Sequence, residues 1–242
     1  AECFHLSVWG FNLAEQYQSP VILLSDYSLS FRTETIEPFD LAKYPVIDRI
    51  QPQGELAPKE YQRYKVNGSY ISPMALPGMP NAQYTATGLE HNEYGNPAYT
   101  PEAHIQMSEK RWRKYDELRH SHEYVRHFGP ERARVGLLCW GTTAGPCRGA
   151  VHLAAQEDIA LSMLQVQMLW PLPEDAILEF IDSVDMVLVP EINYLGQFAR
   201  LVQGELGVRV KSFPAYGGMP FTRFDILRKV HELLGIAEPE LV

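Results

Sequence analysis

Histidines, thiols and carboxylates at short spacing are where chemistry would begin in this sequence. His91-Asn92-Glu93 has the HxE form of half a zinc deaminase site, but the second half is missing, because Pro146-Cys147 continues as Arg-Gly-Ala without a second cysteine. His122-Glu123 and His127 resemble the zincin HExxH with one residue too many, which turns the two imidazoles to different faces of a helix. Gly141-Thr-Thr-Ala-Gly145 could offer backbone amides to an anion, yet it lacks both the GxGxxG spacing and the Walker lysine and reads as a strand-to-helix turn. No GxSxG elbow occurs, and Cys139 and Cys147 have no histidine nearby in sequence to activate them. The expectation is therefore no metal site and no cofactor-binding residue on this chain.

His91 remains as the candidate catalytic residue. It lies in TGLEHNEYG, where Gly88 and Gly95 permit tight turns and close approach of a neighbouring group. It is the one side chain of that loop whose charge changes near neutrality. Glu90 and Glu93, if close to the ring, would favour its charged form and suit it to meet a carboxylate. The competing reading is a histidine that pins the loop by hydrogen bonds. Asp26, where an apolar run stops, is a weaker candidate against the ordinary role of Asp in turns. Lys110, Arg111, Arg113 and Lys114 read as a solvated or salt-bridging face rather than as a grip on an anion.

The elements that must position these residues fall into three zones: 1–40, 41–130 and 131–242. In the first, Phe4, Val8, Phe11 and Ala14 recur at helical spacing, and PVILLSD (20–26) has the apolar character of a strand. The absence of a leading Met and of a basic segment before an apolar stretch argues against a signal peptide, and a start on helix and strand suggests entry into the middle of an α/β domain. In the second zone, eight of the 18 prolines lie between Pro45 and Pro101, among many tyrosines. Such a stretch builds no deep core and predicts an extended arm laid over another surface. A helix is expected from Pro101 to Phe128, with Thr100 as its cap. In the third zone, strands RVGLLCW, IALSMLQVQ, DMVLVPE and VRVKSF alternate with helical stretches at 145–155, 174–183, 195–206 and 223–234. That alternation predicts a parallel sheet with helices on both faces. Glu191 and Asn193 sit at the ligand end of that sheet.

Composition narrows the partners. With 21 Lys and Arg against 30 Asp and Glu, the chain carries a net charge of -9, which disfavours nucleic acid. The longest unbroken apolar run, Val135–Trp140, is far short of the roughly 20 residues that span a bilayer. Three widely spaced cysteines fit reduced thiols in an intracellular, cytoplasmic protein.

Several segments in order resemble one family. TATGLEHNEYGNPAYT (85–100) with MSEKRWRK (107–114) is similar to the junction segment of alpha subunits of 2-oxoacid:ferredoxin oxidoreductases of the 2-oxoglutarate type. The opening 26 residues look like the last helix and strand of that subunit's pyrimidine-binding domain, of the thiamine-diphosphate fold group. WGTTAGP, LWPLP, PEINYLGQFARL and GGMPFT resemble its transketolase C-terminal-like domain. The resemblance implies an α/β fold and oxidative decarboxylation of a 2-oxoacid with coenzyme A, with electrons passing to ferredoxin. It implies thiamine diphosphate, Mg2+ and a [4Fe-4S] cluster held by a beta subunit or by a segment outside this sequence. Family alpha subunits extend further at the amino end, so this sequence is expected to be a carboxyl-terminal portion or a split subunit. A noncatalytic assembly module with the same fold, and pyruvate or branched-chain specificity, are the alternatives.

Overall fold

The computed structural model describes residues 1–236. In chain order its helices are α1 (Glu2–Tyr17), α2 (Tyr27–Ser30), α3 (Pro101–Arg113), α4 (Asp116–Arg119), α5 (Ala144–Gln156), α6 (Glu174–Asp182), α7 (Gln197–Leu206) and α8 (Arg223–Leu234). The strands are β1 (Val125–Phe128), β2 (Ala133–Cys139), β3 (Leu161–Val166), β4 (Val184–Glu191) and β5 (Lys211–Pro214). They group into two compact units, one of residues 1–24 and 33–116, the other of 25–32 and 117 onward.

The second unit is a five-stranded sheet in the order β1-β3-β2-β4-β5, parallel except for β1. Side chains of β2 divide between the faces as the period of two requires. Val135, Leu137 and Cys139 pack with Cys147, Ala150 and Ala154 of α5 and with Ile226, Leu227 and Val230 of α8. Leu138 joins Ile177 and Phe180 of α6 and Phe198, Ala199 and Val202 of α7 on the other face. Covering both faces explains why VGLLC reads as a continuous apolar run. α8 begins and ends where its sequence says it should: Thr222 and Asp225 form a reciprocal capping box, and Gly235 closes the helix at φ 67°.

Two expected elements differ. The helix from Pro101 starts as predicted, with Thr100 Oγ1 accepting the Ala103 N–H and Pro101 in the first turn, but it stops at Arg113. Residues 125–128 instead pair antiparallel with β3, so a partner from a distant part of the chain overrides the helical spacing of Tyr115, Leu118 and Val125. PVILLSD is extended but unpaired among the described strands. Val21 and Leu23 lie over Gly10 of α1, yet all four of its large apolar side chains are exposed, Ile22 and Leu24 most at 80% and 66%.

The first unit has almost no core. Tyr61, Ala75 and Ala82 form a small apolar cluster with Leu56, Met79 and Tyr84. The arm is instead tied to α1: Asn12 donates to Pro45 O at 2.8 Å and accepts from Ile47 N at 3.0 Å, and Glu15 makes a two-bond pair with Arg49. The surface on which the arm lies is thus supplied by the chain itself.

The start of α7 depends on one carboxylate. Glu191, at the end of β4 and 1% exposed, accepts hydrogen bonds from the N–H groups of Phe198 (2.8 Å) and Ala199 (2.9 Å) and from Asn193 Nδ2 (2.8 Å). Asn193 Oδ1 in turn accepts from Gly196 N at 2.7 Å, and Gly196 sits at φ 61° with no room for a Cβ beside Ser212. These residues cap a helix. Glu191→Ala leaves buried donors without an acceptor and should cost about 3 kcal/mol or more in denaturant unfolding. A loss under about 1 kcal/mol would show that water replaces the carboxylate there.

Candidate functional site

The loop bearing His91 is built by its own turn chemistry. His91 and Pro97 form a short antiparallel bridge. Asn92 closes the turn, its Oδ1 accepting from Tyr94 N (3.0 Å) and Asn96 N (3.2 Å) while its backbone O accepts from Gly95 N (2.9 Å). Gly95 has φ 85°, and a Cβ there would fall 1.9 Å from Thr85 O, so glycine is required on two counts.

The two glutamates flanking His91 are committed elsewhere. The Glu90 carboxylate receives Arg111 through two guanidinium nitrogens and His104 Nδ1 at 2.7 Å. The Arg111 hydrogen bonds, foremost, hold its carboxyl at about 2 against an ordinary 4.5. Glu93 Oε1 accepts from Val66 N at 2.7 Å, and its carbonyl accepts from Tyr64 N at 2.9 Å. Both acids are thus used to fasten the loop to α3 and to residues 64–66.

His91 itself is half-buried against the Tyr64 ring, centroids 4.0 Å apart. Its Nδ1 donates to the carbonyl of Asn92 at 2.9 Å. One nitrogen thus pins the loop, and the other has no hydrogen-bond partner among the described residues.

The basic residues of α3 act as staples. Lys110 donates to Tyr70 O (2.7 Å), Arg113 to Tyr70 Oη (3.0 Å), and Lys114 to Ser19 Oγ (2.5 Å) and Gln18 O (3.4 Å). Arg63 and Tyr64 carry no motif and were not singled out from sequence. Arg63 is 8% exposed, donates to Gln18 Oε1 at 2.7 Å, and lies 5.0 Å and 5.8 Å from the Tyr64 and Tyr84 ring centroids. Beside it, a cleft of about 610 Å³ is lined by Tyr61, Tyr84, Tyr94, Asn81, Gln83 and Lys59 among others.

The remaining candidates have structural partners. Asp26 caps α2 through Leu29 N at 3.0 Å. His122 pairs with Glu179 at 2.9 Å and His127 with Ser162 at 2.8 Å, so they do not converge. Among the described residues no three His, Cys, Asp or Glu side chains are placed to hold a metal. Cys139 and Cys147 are buried together, burial pushing the Cys147 thiol up, while Cys3 is exposed. No described helix is long and apolar enough to cross a membrane.

The fold defines an α/β protein with a mostly parallel sheet, and its likeness to known proteins makes the family specific. Residues 1–110 match the family model for the thiamine-diphosphate-binding domain of pyruvate flavodoxin/ferredoxin oxidoreductase, and residues 133–219 match that for core domain II of pyruvate:ferredoxin oxidoreductase. The chain belongs to the family of 2-oxoacid:ferredoxin oxidoreductase alpha subunits. It is 31% identical over its whole length to subunit alpha of 2-oxoacid:ferredoxin oxidoreductase 2 of Aeropyrum pernix, of which it spans 38%. It is 30% identical over 95% of its length to the 2-oxoglutarate synthase subunit KorA of Methanothermobacter marburgensis, of which it spans 60%. A solved structure of 2-oxoglutarate:ferredoxin oxidoreductase from Magnetococcus marinus, with 2-oxoglutarate, coenzyme A and succinyl-CoA bound, superposes over 96% of the chain with a TM-score of 0.90 at 37% identity. The chain covers 40% of that protein.

Glu90 sets a pH window for the loop. Because its proton is released more readily in the fold than in the unfolded chain, its stabilisation is full above about 4.5 and fades as pH falls toward about 2. Protection of the Ala98 amide, bonded to Glu90 O, should fall across that window while β2 amides stay protected, and Glu90→Gln should flatten the dependence. Protection that is unchanged, or lost together with β2, would contradict the assignment.

Proposed function

We propose that this chain is the part of an alpha subunit that helps to build the thiamine-diphosphate site of a 2-oxoacid:ferredoxin oxidoreductase. The reaction is oxidative decarboxylation of a 2-oxoacid to its acyl-CoA, with electrons passed to ferredoxin, and 2-oxoglutarate is the favoured substrate. The observation that carries this reading is the match of two successive family models over residues 1–110 and 133–219, in a chain that superposes along 96% of its length on a 2-oxoglutarate:ferredoxin oxidoreductase. Relatives named 2-oxoglutarate synthase support the substrate.

The described residues do not fit every group such a reaction uses. Two buried thiols and one exposed thiol give no set of four for a [4Fe-4S] cluster, and no clustered carboxylates suit Mg2+ and a diphosphate. Those groups are assigned to a beta subunit and to segments outside these residues, in a cytoplasmic complex. The exposed side chains of Ile22 and Leu24 support association of this unit with further protein, since an extended apolar run leaves both its backbone groups and its outer side chains to be covered. Ile22→Asp should prevent copurification with the beta subunit while the isolated chain keeps its circular dichroism. Normal copurification would remove this segment from the interface.

His91 is proposed to meet the reacting groups through Nε2, the ring nitrogen not bonded to Asn92. In the complete complex, His91→Gln should lower kcat/KM for 2-oxoglutarate by at least about tenfold, measured as coenzyme A-dependent dye reduction, without changing assembly or Tm. Unchanged kinetics would assign the ring to loop structure. An assembled complex without 2-oxoacid-dependent, coenzyme A-dependent reduction would overturn the enzymatic reading in favour of an assembly module.

A further inference from the structure

Three cations, two of them bonded to residues at the end of α1 and the third to Tyr70 O, have neutral acceptors only. Arg63, 8% exposed, gives one hydrogen bond to Gln18 Oε1, and its Nε–H is buried without any acceptor. Lys114 reaches the carbonyl of the same Gln18 and the hydroxyl of Ser19. Lys110, half-buried, donates to Tyr70 O, two residues before the Ser72 carbonyl that accepts Gln18 Nε2. None of the three forms a salt bridge among the described residues. Glu93, the acid that acts most on Lys110, spends its Oε1 on Val66 N, and Arg111 is neutralised by Glu90.

Buried cations are ordinarily paired with an anion, and buried donors are ordinarily bonded. The Tyr64 and Tyr84 rings offset part of the Arg63 charge but accept no in-plane N–H bond. Concentrating such charge in a protein of net charge -9 makes the local imbalance a specific feature rather than a consequence of composition. We propose that Arg63, Lys110 and Lys114 form a receptor for an oxyanion, a phosphate or carboxylate group that completes their coordination. The receptor is independent of the His91 chemistry, and its failure would leave the oxidoreductase reading intact.

Lys110 reports on the receptor directly. Burial first, and then Arg63, Lys114 and Arg111, push its amine down to about 8, so it is partly deprotonated and reactive at that pH, with Glu93 opposing. An anion seated among these groups restores the charged form. The experiment is competitive acetylation of the full chain, read by mass spectrometry between pH 6 and 11, with inorganic phosphate or citrate against sodium chloride at equal ionic strength. The expected result is saturable protection of Lys110, with labelling at about pH 8 slowed about tenfold, while the exposed Lys43 and Lys59 label as before. Arg63→Gln should abolish the protection, and Lys114→Gln, a less buried change, should weaken it if the first variant fails to fold. The same labelling on the complex without added anion distinguishes the source: protection there that Lys114→Gln relieves assigns the oxyanion to a partner's carboxylate. Lys110 labelling unaffected by either anion and by assembly, equal slowing at Lys43 and Lys59, or protection that persists in both variants would overturn the receptor.

Discussion

A long stretch without helix or strand can be ordered only if its polar backbone and charges are met by something regular, and in this protein α3 does so. Arg111 on Glu90 is the central tie. It places a guanidinium on a carboxylate that also receives His104, one residue before His91, and so fixes where the His91 loop stands. Lys110, Arg113 and Lys114 add ties to Tyr70 and to the end of α1, so a single helix holds both edges of the arm. An apolar cluster centred on Tyr61, Ala75 and Ala82 could not do this alone.

The contrast with the sheet unit explains what could be read from the residues. α8 was legible to its ends because Thr222, Asp225 and Gly235 encode caps locally, and β2 because an apolar run covered on both faces has few other fates. The start of α3 was equally local, in Thr100 and Pro101. Its end was not, because residues 125–128 become a strand only through β3, some 35 residues further along. The run at 20–26 shows the reverse case, a strand-like pattern without a described partner strand.

At the candidate site, the loop around His91 is built from pairings that its sequence neighbours do not reveal. Glu90 and Glu93 flank His91, yet their carboxylates are bonded to Arg111 and to Val66 N. No spacing rule could have revealed that pairing between residues 21 apart. Arg63 was invisible for a related reason: its significance lies in burial and in an unmet donor, which only packing creates. The basic run 110–114 reads as a solvated or salt-bridging face, and the structure salt-bridges Arg111 to Glu90 while Lys110, Arg113 and Lys114 bond neutral acceptors.

The central claim is that the arm is ordered by α3 through charge, and native-state hydrogen exchange tests it most directly. The amides of Tyr64 and Ala98, which bond to Glu93 O and Glu90 O, should be protected in the chain and lose that protection in Arg111→Gln, while β2 and β4 amides keep theirs. Arm amides that exchange at the rate of an unstructured peptide in the unmodified chain, or that are indifferent to Arg111→Gln, would contradict the account.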